Sequence, residues 1–228
     1  MVKILANVLQ KDINQTLPSL LNAGVFLDIK RIKFKQGKLT SHKSPRFIKR
    51  EEEYPGKFIE IYENKEYLAL LKDGSLITTL YEFSSDGKTL KKATLIYYPN
   101  PNLKLNLYDD LSSNEEDDPI NEKSLLHPLS NYLRIDYDIA SANEVCHPVT
   151  HIHIGFLSKF RMGMNNLPPF SDFIELILFL YYPIEWNKIY IKDKPIDTHI
   201  LKRNIFINKI CCDGKLSELE KKYRYFYC

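Results

Sequence analysis

The chain has 228 residues, 44% hydrophobic and 12% aromatic, with 32 Lys and Arg against 29 Asp and Glu for a net charge of +3. That apolar share suffices for a sizeable core and excludes global disorder, and eight glycines and twelve prolines exclude a collagen-like or low-complexity chain. The small net charge excludes a histone-like coat driven by total charge, so any basic surface has to come from local clustering.

The start, Met1 to Val8, lacks a secretory pattern, because Asn7, Gln10, Lys11 and Asp12 leave no sustained apolar region. Apolar Ile4, Leu5, Val8, Leu9, Ile13, Leu17, Leu20 and Leu21 recur at helical spacing, which predicts helix over 4–23 with Gly24 at its C-terminal cap. Pro18 predicts a kink or a break into two short helices. Phe26 to Phe34 then reads as a strand. Phe58 to Tyr62 reads as another, turning at Glu63-Asn64-Lys65 into Glu66 to Leu71. Asp73-Gly74 is a two-residue hairpin signal, followed by Ile77 to Phe83, a turn at Asp86-Gly87 and Ala93 to Tyr98, with Pro99 and Pro101 ending the run. The pattern predicts an antiparallel meander.

The next segment changes character. Asp109, Asp110, Glu115, Glu116, Asp117 and Asp118, with Ser112, Ser113, Asn114 and Pro119 among them, read as an exposed acidic loop at 109–122. The spacing of a calcium loop is absent. Beyond it come strands at Tyr132 to Asp138 and Thr150 to Ile154. A helix is expected from Ser171, as N-cap, to Tyr182, with Pro183 ending it. Tyr190-Ile191 and Ile205 to Ile207 read as further strands, and Ser217 to Tyr223 as a short polar helix. The apolar run from Phe170 to Ile184 carries Asp172 and Glu175 and falls short of the ~20 residues that span a bilayer, so no membrane partner is expected. Cys146, Cys211, Cys212 and Cys228 make neither a disulfide framework nor a C-x-x-C zinc ribbon, and the chain end is not a lipidation box. A cytoplasmic protein with reduced thiols is the expectation.

One constellation carries chemistry. In Cys146-His147-Pro148-Val149-Thr150-His151-Ile152-His153-Ile154-Gly155, strand alternation puts His151 and His153 on one face. In Tyr132-Leu133-Arg134-Ile135-Asp136-Tyr137-Asp138, the same parity groups Arg134, Asp136 and Asp138. If the strands pair, antiparallel or parallel, one wall holds imidazoles, carboxylates and a guanidinium. Three chemistries fit this set. In the first, His151 and His153 are general acid and base on a phosphodiester, Arg134 stabilises the developing charge, and Asp136 or Asp138 fixes a tautomer. In the second, His147, His151, His153 and Asp138 bind a divalent metal ion with a position open for water. In the third, the cluster is a structural polar layer or a partner interface. Gly155 and Arg161 are weaker candidates to extend the site. Basic residues between Lys30 and Lys57, and a basic-aromatic tail from Lys202 to Tyr227, suit phosphate contact and base stacking as well as they suit a solvated surface.

The stretch Arg134-Ile135-Asp136-Tyr137-Asp138, then His147-Pro148-x-x-His151-Ile152-His153-Ile154-Gly155, resembles a prokaryotic family of unknown function. That family pairs an R-x-D strand with an H-P-x-x-H-x-H-x-G segment and then a Pro-Phe-started apolar helix, here Pro169-Phe170-Ser171-Asp172-Phe173-Ile174. A looser similarity is to the TumE-like toxins, which carry an R-Y-D strand where this chain has Arg134-Ile135-Asp136. The toxin resemblance implies a bacterial effector that acts on RNA and is controlled by a partner, or antitoxin, protein.

The expected architecture is a single α+β domain over 1–228. It has an antiparallel sheet, helices at both ends of the chain and one apolar helix packed on the sheet. The acidic loop separates an N-terminal meander half from a C-terminal histidine half. The expected function is a nuclease-like effector cleaving phosphodiester bonds, RNA more than DNA, in a toxin–antitoxin or phage-defence system. The alternative is a non-catalytic protein-binding subunit of such a system.

Overall fold

The computed structural model describes residues 5–41, 48, 53–102, 132–142, 147–155, 161–164 and 166–190. Among these residues, four helices and nine strands make an α+β fold. In chain order these are α1 (Ala6–Asn22), β1 (Phe26–Ile29), β2 (Lys33–Lys35), β3 (Lys38–Thr40), α2 (Tyr54–Glu63), β4 (Ala69–Leu71), β5 (Leu76–Phe83), β6 (Leu90–Tyr98), β7 (Leu133–Asp138), β8 (Thr150–Ile154), β9 (Met162–Gly163), α3 (Phe170–Tyr181) and α4 (Pro183–Tyr190). The sheet is antiparallel, in the order β1-β4-β5-β6-β7-β8-β9. The β2–β3 hairpin joins it beside β4, because β4 pairs with the start of β5 at Leu76 and Ile77 while β3 pairs with its end at Tyr81 and Glu82.

Alternation divides the sheet into two faces. One face sends Ile77, Ala93, Leu95, Leu133, Ile135 and Ile152 into the main core against α1 and α3. The helix α1 meets that core along Leu9, Ile13, Leu17 and Leu20, a stripe at helical spacing. The other face sends Leu76, Ile96, Tyr98 and Tyr132 into a second cluster, where Tyr54, Phe58 and Ile61 of α2 cover them. The remaining part of that second face, over β6 to β8, carries the polar residues described below.

Several elements differ from the sequence expectation. The helix α1 runs unbroken through Pro18, whose ring is exposed while Leu17 and Leu20 on either side are buried. Packing on both sides of the proline holds the helix in one piece, and the Ser19 hydroxyl donates to the Gln15 carbonyl at 3.2 Å. Phe58 to Tyr62 is helix, not strand. Tyr54, Phe58 and Ile61 are spaced i, i+4, i+7 and all buried, and Pro55 suits a first turn. The expected strand Phe26 to Phe34 is divided at residues 30–32, and its second part forms a hairpin over Gln36 and Gly37, both at positive φ. Tyr190 closes α4 rather than opening a strand, with Trp186 stacked on its ring at 5.9 Å. The expected strand at 205–207, the polar helix at 217–223 and the acidic loop lie outside the described residues.

The start of α3 also departs from expectation. Pro169 occupies the N-cap position and offers no side-chain acceptor, and Ser171 lies buried inside the helix. The acceptor comes instead from α1. Asp12 Oδ2 accepts from Phe170 N–H at 3.0 Å and from Ser171 N–H at 3.4 Å. Burial pushes the Asp12 carboxyl up to about 6, against the two N–H bonds and the Ser171 side chain, which pull it down. Asp12→Ala leaves two helix N–H groups without an acceptor, whereas Asp12→Asn keeps the acceptor and removes the buried charge. Urea unfolding at pH 7 is therefore expected to find Asp12→Asn at least as stable as wild type, and Asp12→Ala about 1–2 kcal/mol below Asp12→Asn.

Candidate functional site

The pairing of β7 with β8 assembles the site. Their antiparallel register sets Arg134 opposite His153 and Asp136 opposite His151. On the other side, β6 sets Ile96 opposite Arg134 and Thr94 opposite Asp136. Directly paired residues share a face, so two adjacent rows result: Thr94–Asp136–His151 and Ile96–Arg134–His153. The apolar partners in the same strands, Leu133, Ile135 and Ile152, point into the main core.

Asp136 is the hub. Thr94 Oγ1 donates to its Oδ1 at 3.0 Å, and Arg134 Nε stands 2.7 Å from its Oδ2. The Nε–H is not aligned on that oxygen, so this contact acts as an ion pair. Arg134 Nη2 also lies 3.0 Å from His153 Nε2, and Nη1 lies 3.5 Å from Tyr132 Oη. A guanidinium can only donate, so His153 Nε2 is the accepting nitrogen. His151 Nδ1 lies 2.9 Å from the Pro148 carbonyl, which can only accept, so Nδ1 carries the proton and Nε2 turns toward the cluster. The two Nε2 atoms stand 3.7 Å (His151) and 3.5 Å (His153) from Asp136 Oδ2. Asp136, His151 and His153 each offer one ligand atom within 4.8 Å of the others, a set able to hold a metal ion.

The two imidazoles are 1% and 6% exposed, in the order His151, His153, while the Arg134 side chain is 30% exposed and that of Asp136 18%. The arginine and the carboxylate therefore form the way in from solvent. Burial presses His151 down to about 4, against the Pro148 carbonyl and Asp136, which favour the charged form. Burial alone would raise the Asp136 carboxyl, but the Arg134 guanidinium and the Thr94 hydroxyl hold it below its ordinary value. Burial also lifts the Tyr132 hydroxyl to about 12, so it remains a neutral partner for Arg134.

Of the sequence candidates, Arg134, Asp136, His151 and His153 come together. His147 stands beside them, its ring 4.6 Å from that of His151. Asp138 shares the face of Arg134 and Asp136 but lies at the end of β7, where it is ion-paired to Lys92 at 3.3 Å and accepts from Ala140 N–H, Ser141 N–H and the Ser141 hydroxyl. Asp136 therefore replaces Asp138 in any ligand set. Gly155, at positive φ, ends β8 and donates its N–H to the Tyr132 carbonyl. Arg161 is exposed. Sequence reasoning missed Thr94, Tyr132 and the Pro148 carbonyl. Parity exposes Tyr132, which shares the even-numbered face of Arg134, whereas Thr94 depends on the β6–β7 register. The acidic loop and the basic-aromatic tail lie outside the described residues.

A family described as an uncharacterized conserved protein, DUF2290, matches residues 25–226. No curated protein and no solved structure matches the chain. No helix among the described residues is long and apolar enough to cross a membrane.

Two buried groups set opposite pH dependences. Between pH 6.5 and about 4, unfolded His151 takes up a proton that the folded form refuses, so stability falls as pH falls. Between about pH 6 and 3.8, folded Asp12 takes up a proton that the unfolded form does not yet bind, so stability rises as pH falls. Relative to wild type, acidification from pH 6.5 to 4.5 is expected to cost Asp12→Asn about 2 kcal/mol more and His151→Gln about 2 kcal/mol less. Urea unfolding at the two pH values checks both signs.

Proposed function

The chain belongs to the DUF2290 family, and we propose that it is a nuclease-like effector that cleaves phosphodiester bonds, RNA before DNA, in a bacterial toxin–antitoxin or phage-defence setting. The observation that carries the reading is the meeting of Arg134, Asp136 and His153 at a partly exposed point of the sheet, with Arg134 Nη2 at 3.0 Å from His153 Nε2. The setting, and RNA as substrate, rest on the resemblance of the R-x-D strand and histidine segment to TumE-like toxins.

The roles follow from the contacts. Arg134 meets a phosphate oxygen through Nη1, its loosely held nitrogen. As the guanidinium turns to the phosphate it releases His153 Nε2. That nitrogen then takes the proton of the ribose 2′-hydroxyl while the oxygen–phosphorus bond forms. Arg134 offsets the charge on the phosphoryl oxygens. The bond from phosphorus to the 5′ oxygen breaks, and that oxygen takes a proton from water. His151 is not the acid, because it is neutral at pH 7 and its N–H is committed to Pro148. Its Nε2 stands 3.7 Å from Asp136 Oδ2 without a hydrogen bond, and Asp136 positions Arg134 as its ion-pair partner.

The burial of both imidazoles favours a second reading, a non-catalytic subunit that binds a partner protein and uses the cluster as a structural layer. Labelled RNA and DNA, each with and without EDTA, separate the two when incubated with wild type, His153→Ala and Arg134→Ala of verified fold. The nuclease reading expects RNA cleavage by wild type and a loss of at least about 100-fold in His153→Ala. Absence of cleavage by wild type under every condition would contradict it and leave the subunit reading.

A further inference from the structure

We propose that Asp136, His151 and His153 form a binding site for one divalent first-row transition ion of the zinc class, and that Arg134 is the cation that fills the site in its metal-free state. Binding of the ion requires no cleavage activity.

The first support is distance. Asp136 Oδ2 stands 3.7 Å from His151 Nε2 and 3.5 Å from His153 Nε2, both too long for hydrogen bonds. Ligands bonded at 2.0–2.2 Å to a tetrahedral ion stand about 3.4 Å from one another. The carboxylate and each imidazole are therefore already spaced as co-ligands, and all three donor atoms fall within 4.8 Å.

The second support is the outer shell. A ligating histidine needs its other nitrogen held by an acceptor, and a ligating carboxylate needs its second oxygen held by a donor. His151 Nδ1–H donates to the Pro148 carbonyl at 2.9 Å, and Thr94 Oγ1–H donates to Asp136 Oδ1 at 3.0 Å. Those contacts turn His151 Nε2 and Asp136 Oδ2 inward. All three side chains stand on paired strands of one sheet, which fixes their spacing better than loops would.

The ion class follows from the donors. Two imidazole nitrogens and one carboxylate oxygen suit zinc and its first-row neighbours, whereas magnesium and calcium take oxygen. Three protein ligands leave one position open for water. The competing cation is a side chain of the cluster itself. Arg134 places Nη2 on His153 and Nε beside Asp136, yet the Nε–H misses alignment and the side chain is 30% exposed. An incoming ion displaces it toward solvent and Tyr132.

Isothermal titration of the EDTA-stripped full chain with Zn2+, and separately with Mg2+, tests the proposal, with folding verified by circular dichroism. One Zn2+ per chain is expected, with Mg2+ at least about 100-fold weaker. Asp136→Asn and His151→Gln are expected to weaken Zn2+ about 100-fold, and Thr94→Val about 10-fold. Arg134→Gln removes the competitor and is expected to bind Zn2+ more tightly than wild type, a gain that misfolding does not mimic. No Zn2+ binding by either wild type or Arg134→Gln overturns the site. Unchanged Zn2+ affinity in both Asp136→Asn and His151→Gln also overturns it. Zn2+ binding with the expected variant pattern but without RNA cleavage sustains the ion site while contradicting the nuclease.

Discussion

The antiparallel register of β7 and β8 is the constraint on which the site depends. Opposite pairs share a face, so Asp136 with His151 and Arg134 with His153 form two neighbouring rows. A slip of one residue in β8 would drive His151 and His153 into the core of α1 and α3 and would turn Ile152 to the polar face. Hydrophobic burial on one face thus holds the polar geometry of the other. The site is positioned by apolar residues that never touch it.

Within that frame, one guanidinium balances the cluster. Asp136 keeps its charge in a partly buried setting because Arg134 and Thr94 support it, and the two imidazoles are held by different partners. His151 is buried and donates to a backbone carbonyl. His153 accepts from the arginine. In the two proposals a phosphate oxygen and a metal ion would act on the same element from opposite directions: the anion would recruit Arg134, and the cation would replace it. Both draw on the looseness of one side chain, bordered by Tyr132 and, through ring contact at 5.8 Å, Tyr98.

Much of this was legible in the residues because a strand's period of two is short and local. Alternation in 132–138 and 150–154 assigns faces without any knowledge of neighbours, and it groups Arg134 with Asp136 and His151 with His153. What escaped depends on distant partners. Thr94 reaches Asp136 through a third strand, and Asp12 caps α3 from 158 positions away. Local pattern also misleads where two periods fit one segment. Phe58-Ile59-Glu60-Ile61-Tyr62 alternates like a strand, and only the upstream Tyr54, in step with Phe58 and Ile61, reveals the helix. Asp138 shares the parity of Asp136 but stands at the strand end, where the turn at 139–141 and Lys92 claim it.

The central claim is that β7–β8 pairing presents His151 to Asp136 as a neutral imidazole with its proton on Nδ1. Nitrogen-15 NMR of the histidine rings across pH 7.5 to 4.5 tests it most directly. The geometry predicts that His151 keeps its proton on Nδ1, stays neutral through pH 5.5, and becomes charged only near pH 4. A His151 that titrates near 6.5, or that carries its proton on Nε2 at neutral pH, would contradict the account.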